Sequence, residues 1–399
     1  MTSAAAAKQK KNVALLAALQ ALLLTNNATL IAVNGLAGYA LATDKSLATV
    51  PVTSWVAGAA LTTFFASLLM KRIGRRAGFT VGALAGIAGA TICCLALYVG
   101  HFWLFVLGTA VVGVYNAFGQ YYRFAAADAA TPDFKSRAIS YVLAGGLIGG
   151  IVGPTASKWT KDALPTSYLG AFLALIAFLV IVLVVVRMLD IPAPTEDEAM
   201  DPGRPLAEII AQPAFVVAVL AAAFGFGVMN LLMTATPLAM QVCGHPYGAA
   251  ATVISSHVVG MFAPSFVTGD LIKRFGVLNV MLWGVVINLA CLATALAGVQ
   301  VAHFWWALVL LGVGWNFLYI GGTTLLTETY KPAEKAKAQG ANDLLIFVTV
   351  ATSSFASGMI LERNGWKTLN YAAIPVVLAI GAAVLWLMTK QRRGAAAAG

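Results

Sequence analysis

The chain has 399 residues, of which 60% are hydrophobic and only 10% charged, and its formal net charge is +10. A soluble protein would carry about 25% charged residues, and the mean hydropathy of +0.85 points instead to apolar runs that fill a bilayer. The basic residues stand in short clusters between those runs, which argues against nucleic acid, and the scattered histidines and cysteines offer no metal, cofactor or catalytic set.

In chain order, residues 1–12 read as a basic tail. The apolar run behind them continues to about residue 37 without a clear cleavage site, so it reads as a retained first span rather than a signal peptide. Apolar segments of spanning length follow at about 51–70, 78–99, 102–127, 138–157 and 167–188, completing a first set from 13 to 188. A second set from 213 to 389 falls at about 213–238, 250–272, 278–300, 303–327, 339–361 and 369–389. Each needs about 20 residues to cross as a helix, and a helix satisfies its own backbone groups in hydrocarbon. Residues 189–212 carry prolines and acids and read as a linker, with a short amphipathic helix around Leu206 to Ile210; residues 390–399 read as a tail.

Charge sets the expected orientation. With the N-terminus inside, only Lys45, Lys158, Lys161, Arg363 and Lys367 fall in outer segments; Arg123 lies within a span and every other Lys and Arg is inside. The positive-inside rule then places both termini in the cytoplasm, in a bacterial inner membrane.

The two sets repeat one another. Gly113 to Ala138 stands against Val313 to Ala338 without a gap, so Asn116 falls on Asn316, Asp128 on Glu328 and Pro132 on Pro332. Such a duplication predicts two pseudo-symmetric six-helix bundles with the working site between them.

Polar side chains inside these runs are expensive unless they meet water, a solute or each other. Asn116, Gln120 and Arg123 share one face of span four, and Asn316, Tyr319 and Thr323 lie on span ten beside Trp315. Span one offers Asn27 and Asn34, and span seven Asn230 and Thr234. These ten residues are the candidate solute contacts; helix-to-helix amide bonding is the competing reading for each asparagine. Arg123 has three options: binding an anionic group, pairing with Asp128 or Asp343, or extending to the cytoplasmic interface. Asp343 and His257 are the titratable groups that fit proton coupling.

The loop after span two, Ser67 to Arg76, resembles the G-x-x-x-D-R-x-G-R-R signature of the major facilitator superfamily. Arg72, Gly74, Arg75 and Arg76 match, whereas Lys71 stands where the family has its acid and Ser67 where it has its first glycine. Gly269 to Gly276 echoes the pattern in the second half, with Lys273 again at the acid's position. Gly149, Gly153 and Pro154 in span five resemble part of the signature of the superfamily's drug:proton antiporters. The resemblance implies an all-α integral membrane protein of twelve spans in which spans one, four, seven and ten line a central cavity. It also implies a cytoplasmic gate, here formed by Arg72, Gly74, Arg75, Arg76 and Arg274, with Asp128 and Glu328 as the acids.

The expected function is therefore secondary active transport of a small organic solute by alternating access, proton-coupled and in the efflux direction. Uptake of an organic nutrient, by proton symport or facilitated diffusion, is the alternative. A transport-inactive receptor or assembly subunit is the third reading. The expected partners are the solute, protons and the lipid bilayer, around a monomer that is not an enzyme.

Overall fold

The protein is described by a computed structural model over residues 3–44, 47–191, 201 and 203–398. Lys45 and most of the linker, residues 192–200 and 202, lie outside the described residues. The described chain is almost entirely helical and contains no strand.

The first set of spans becomes α1 (Ser3–Leu41), α2 (Val50–Ile73), α3 (Arg75–Val99), α4 (Phe102–Gly119), α5 (Tyr122–Asp128), α6 (Lys135–Thr160) and α7 (Leu169–Arg187). The short helix foreseen in the linker is α8 (Leu206–Ile210). The second set follows as α9 (Pro213–Val219), α10 (Gly225–Val242), α11 (Tyr247–Phe262), α12 (Ser265–Phe275), α13 (Val277–Ala297), α14 (Val301–Leu326) and α15 (Lys335–Ala398). Among the described residues, eleven segments are long and apolar enough to cross a bilayer, and the last of them runs over 62 residues. That segment breaks at Gly365, whose φ of 77° no helix accommodates, so it supplies two crossings and the count reaches the expected twelve.

Three spans are not plain helices. Span four is interrupted at Gln120 and Tyr121, between α4 and α5. Span seven passes from α9 to α10 through a π turn at Leu220–Phe224. Span eight breaks at Pro264, between α11 and α12, where a proline ring cannot extend the preceding helix. Interrupted helices and π turns at membrane depth are features of solute and ion sites.

The chain forms two compact units, one of Met1–Thr131 with Tyr141–Asp201 and one of Pro132–Ser140 with Pro202–Gly399. Residues 132–140, placed by sequence in the first set, thus group with the second. The reason is local bonding: Ser136 Oγ donates to the Gly269 carbonyl at 3.1 Å, and the Gly269 N–H donates to Ser140 Oγ at 3.0 Å. Arg137 pairs with Asp270, and Ser140 also reaches the Ser265 carbonyl.

Within the first unit, Leu30, Val33, Trp55, Val112 and Leu175 surround an edge-on pair of rings, Phe105 and Phe172, at 5.3 Å. Between helices in lipid the gain comes from close packing, since lipid tails are as apolar as leucine. Small residues therefore matter most where backbones approach. Gly145, Gly149 and Gly153 run along α6 against Ala17, Ala21 and Thr25 of α1; a Cβ on Gly149 would stand 2.5 Å from the Ala21 carbonyl oxygen. Thr29 Oγ1 closes the seam with a 3.1 Å bond to the Gly153 carbonyl.

Candidate functional site

In the first unit the candidate side chains form one connected string. Asn27 Nδ2 on α1 donates to Asn116 Oδ1 on α4 at 3.0 Å, and Gln120 Nε2 donates to the same oxygen at 3.2 Å. Arg123 NH1 returns to the Gln120 carbonyl at 2.9 Å and to Gln120 Oε1 at 3.3 Å. The break in span four makes this return possible, because it frees the Gln120 carbonyl at the end of a helix. Arg123 is 2% exposed and its guanidinium carbon lies 4.5 Å from the centre of the Phe124 ring. The head group is thus folded back onto Gln120 and Phe124. Asn34 is fully buried with neither amide atom hydrogen-bonded, and Asn27 Oδ1 is likewise buried and unpartnered.

The second unit treats its asparagines differently. Asn316 is fully buried; its Oδ1 accepts from Thr268 Oγ1 at 2.7 Å, and its Nδ2 donates to the Met261 carbonyl and Ser265 Oγ, each at 2.6 Å. Both amide hydrogens are engaged by the two halves of span eight, so the residue ties α14 to the α11–α12 break. Asn230 Nδ2 reaches Ser354 Oγ at 2.8 Å, Ser353 Oγ at 3.0 Å and the Val350 carbonyl at 3.2 Å, bridging α10 to α15. Thr234 is exposed. The duplicated asparagines therefore occupy equivalent sequence positions with unlike geometries.

What the second unit adds is aromatic. Trp315 and Tyr319, one turn apart on α14, stack at 4.8 Å with 15° between their planes. Phe226 stands perpendicular to both, at 5.3 and 5.6 Å, and Phe262 meets Trp315 at 5.9 Å. Thr323 follows one turn later with its hydroxyl buried and unpartnered. The sequence flagged Trp315 and Tyr319 as neighbours of Asn316. It passed over Phe226 and Phe262, since a phenylalanine in an apolar span carries no signal of its own.

Of the coupling candidates, Asp343 is 1% exposed and its Oδ1 accepts from Asn342 Nδ2 at 2.8 Å. His257 is fully buried; its Nδ1 faces the Leu308 carbonyl at 2.7 Å while Nε2 has no hydrogen-bond partner. A carbonyl partner fixes Nδ1 as the donor.

The loop residues divide. Gly74 and Gly276, the glycines of the two matched loops, both adopt φ above +80°, at 83° and 87°, where a side chain would be strained. Arg75 is buried and sends Nε and NH2 to Asp128 Oδ2, both at 3.1 Å, so these two side chains form an ion pair. Arg72 and Arg76 are exposed. Arg274 lies over the Phe275 ring at 5.1 Å, and burial pushes the Glu328 carboxyl above its ordinary value while the positive charge of Lys135 opposes that. Asp270, adjacent to Gly269, pairs with Arg137; it stands away from the family's usual acid position, so the loop pattern carries no signal for it. Also missed was Glu334: Arg204 NH2 reaches its Oε2 at 2.7 Å and Nε its Oε1 at 2.7 Å, docking the linker onto the loop before α15.

Twelve apolar crossings in two units, with interrupted spans and hydrogen-bonding side chains at membrane depth, define a multi-pass membrane transporter. The chain belongs to the Major Facilitator Superfamily, whose family model matches residues 14–276 and 245–398. It is 42% identical, over 100% of both chains, to the riboflavin transporter RfnT of Brucella anthropi. It is 26% identical to the uncharacterized MFS-type transporter YddS of Bacillus subtilis, covering 86% of this chain and 83% of that one. Among solved structures, the fold matches the MFS transporter FucP in its outward conformation with a TM-score of 0.75 at 16% identity, over 93% of this chain and 98% of that one. The human organic anion transporter MFSD10 matches with a TM-score of 0.76 at 13% identity, over 94% and 99%.

Proposed function

We propose that the protein is a secondary transporter that takes up riboflavin or a closely related flavin, with both termini in the cytoplasm of a bacterial inner membrane. The observation that carries this reading is the 42% identity to a riboflavin transporter over the full length of both chains. The side chains agree with it. Riboflavin joins a flat tricyclic ring to a polyhydroxylated chain, and the first unit holds side chains suited to that chain. The amide string Asn27–Asn116–Gln120–Arg123 donates and accepts hydrogen bonds as hydroxyl groups require.

Uptake replaces efflux as the preferred direction. The efflux expectation rested on the glycine–proline pattern of span five, and packing against α1 accounts for those glycines. Proton coupling through Asp343 belongs to the same proposal and is a separate question for experiment.

The test is riboflavin uptake by proteoliposomes containing the purified protein. Saturable uptake, competed by unlabelled riboflavin and missing from empty liposomes, is the expected result. Uptake no faster than in empty liposomes would overturn the reading.

A further inference from the structure

We infer that the corner where span nine begins and span twelve ends holds the phosphodiester headgroup of an anionic phospholipid. With both termini in the cytoplasm, as proposed above, this corner lies in the inner leaflet.

The chain turns from α12 into α13 at Gly276, and the last turns of α15 pass beside that bend. A cavity of about 440 Å³ opens between them, with Val277, Leu278 and Asn279 on one side and Met388, Gln391 and Arg392 on the other. Its lining is amphipathic. Leu278 is buried and Val277 and Met388 are half-buried, whereas Asn279, Gln391 and Arg392 are exposed. A ligand with a polar head above an apolar tail matches that order.

The rim is basic. Helix α12 ends on Lys273 and Arg274, and Lys390 and Arg393 flank Arg392 on α15. None of these five cations forms an ion pair among the described residues. Asp270, three residues before Lys273, is taken by Arg137. The matching corner of the first unit is built otherwise: behind Gly74, Arg75 pairs with Asp128, and Lys71 donates to the Asp201 carbonyl. Beyond the end of span six, Lys8 pairs with Asp190 at 2.7 Å. One corner finds its acceptors within the chain, and the other leaves its cations for an anion from outside. The positive-inside rule accounts for cations in a cytoplasmic loop, but not for a partly apolar cavity between two clusters of them.

Aromatic rings set the level of the cavity in the membrane. Phe275, Trp283 and Trp386 are all exposed, and Phe275 meets Trp283 edge-on at 5.1 Å. Large rings on lipid-facing helix surfaces gather at the headgroup boundary. Arg274 lies over Phe275, and Lys390 Nζ lies 5.3 Å from the centre of the Trp386 ring, so both charges are held at that boundary. A free phosphate ion would use the cations alone. A phospholipid also covers the apolar lining, and basic pockets between helices on the cytoplasmic side suit anionic lipid heads.

The experiment uses the full-length protein in detergent and follows its thermal midpoint as phosphatidylglycerol, phosphatidylethanolamine or inorganic phosphate is added. Wild type is compared with R392Q, R274Q/R392Q and K10Q/K11Q, the last removing two exposed cations of the N-terminal tail. Phosphatidylglycerol is expected to raise the wild-type midpoint saturably, and the zwitterionic lipid and inorganic phosphate far less. R274Q/R392Q should bind phosphatidylglycerol at least about tenfold more weakly, with R392Q between it and wild type and K10Q/K11Q equal to wild type. Wild-type affinity in R274Q/R392Q overturns the inference, and so does equal weakening in the two double variants, which would reduce the effect to diffuse charge. A wild-type shift of the same size with phosphatidylethanolamine or with phosphate overturns it as well. If R274Q/R392Q does not fold, R392Q is set against K10Q/K11Q, and equal affinity in those two overturns the inference. No riboflavin enters the measurement, so neither result bears on the transport function.

Discussion

Asn116 and Asn316 hold equivalent places in the duplicated sequence, yet one amide oxygen collects donors from Asn27 and Gln120 while the other amide binds two broken helix ends. The difference predicts opposite phenotypes. In N116A two bonds are lost around a half-buried cluster, at roughly 0.5–1.5 kcal/mol each, so the protein should stay folded while KM for riboflavin rises about tenfold or more. In N316A the Thr268 and Ser265 hydroxyls and the Met261 carbonyl lose their partner deep in the bundle. That change should cost on the order of 2–4 kcal/mol and appear as a lowered thermal midpoint, with KM of the surviving protein near wild type. Midpoints from a thermal-shift series and KM from initial uptake rates separate the two. Equal KM defects in both variants would show that the duplicated asparagines act alike and that the geometry is misread.

Elements show how far a sequence can be read. The spans were legible because hydrocarbon imposes length and hydropathy on every crossing, and the twofold repeat was legible because it preserves spacing. Helix interruptions were less so: only Pro264 marks its break, while nothing in Gln120–Tyr121 or Leu220–Phe224 signals a discontinuity. Partner choice was least legible. The loop pattern offered Asp128 and Glu328 together as acids for Arg72, Arg75 and Arg274, of which the structure pairs Asp128 with Arg75, and it gave no sign of Asp270 or Glu334, since an acid in a loop looks solvated until its neighbour is known. The Arg204–Glu334 clamp shows the consequence. Glu334 precedes the apolar part of α15, is 1% exposed at its side chain, and is held at about pKa 2. The Arg204 guanidinium is the main cause; burial opposes it, and the backbone N–H groups of Lys331 and Arg204 assist. A depressed folded-state pKa gives stability that is present above the unfolded carboxylate value and lost as pH falls toward 2. Arg204 is about a third exposed, so solvent screens part of the gain. The clamp should therefore be constant from pH 8 down to about 5. E334Q should lower the thermal midpoint at pH 7, and the gap to wild type should narrow only below about pH 4. A gap that closes between pH 7 and 5 would assign the effect to another group.

Across the whole molecule, orientation and coupling can be tested with groups the chain already has. Cys243 is a free, exposed thiol at the end of α10, while Cys93 and Cys291 are buried. If both termini are cytoplasmic, span seven emerges on the outer side, and a membrane-impermeant maleimide should label Cys243 in intact cells. Labelling only after the membrane is opened would reverse the proposed topology. Coupling turns on which buried group exchanges a proton. His257 is poorly suited, since its Nδ1 already faces the Leu308 carbonyl and no acid is among its described partners. Asp343 is a carboxyl inside a span, where ionisable groups are costly and mark ion or proton routes. Its Oδ1 accepts from an amide that an asparagine at 343 could still engage. D343N should therefore preserve the fold and leave riboflavin exchange between equal solutions within about twofold of wild type. Uphill accumulation driven by an acidic outer solution should fall by at least about tenfold. Accumulation that survives D343N while collapsing with an uncoupler would move the proton to another residue. Accumulation indifferent to the pH gradient in the wild type would make the protein a facilitator, and the burial of Asp343 would then need a structural explanation.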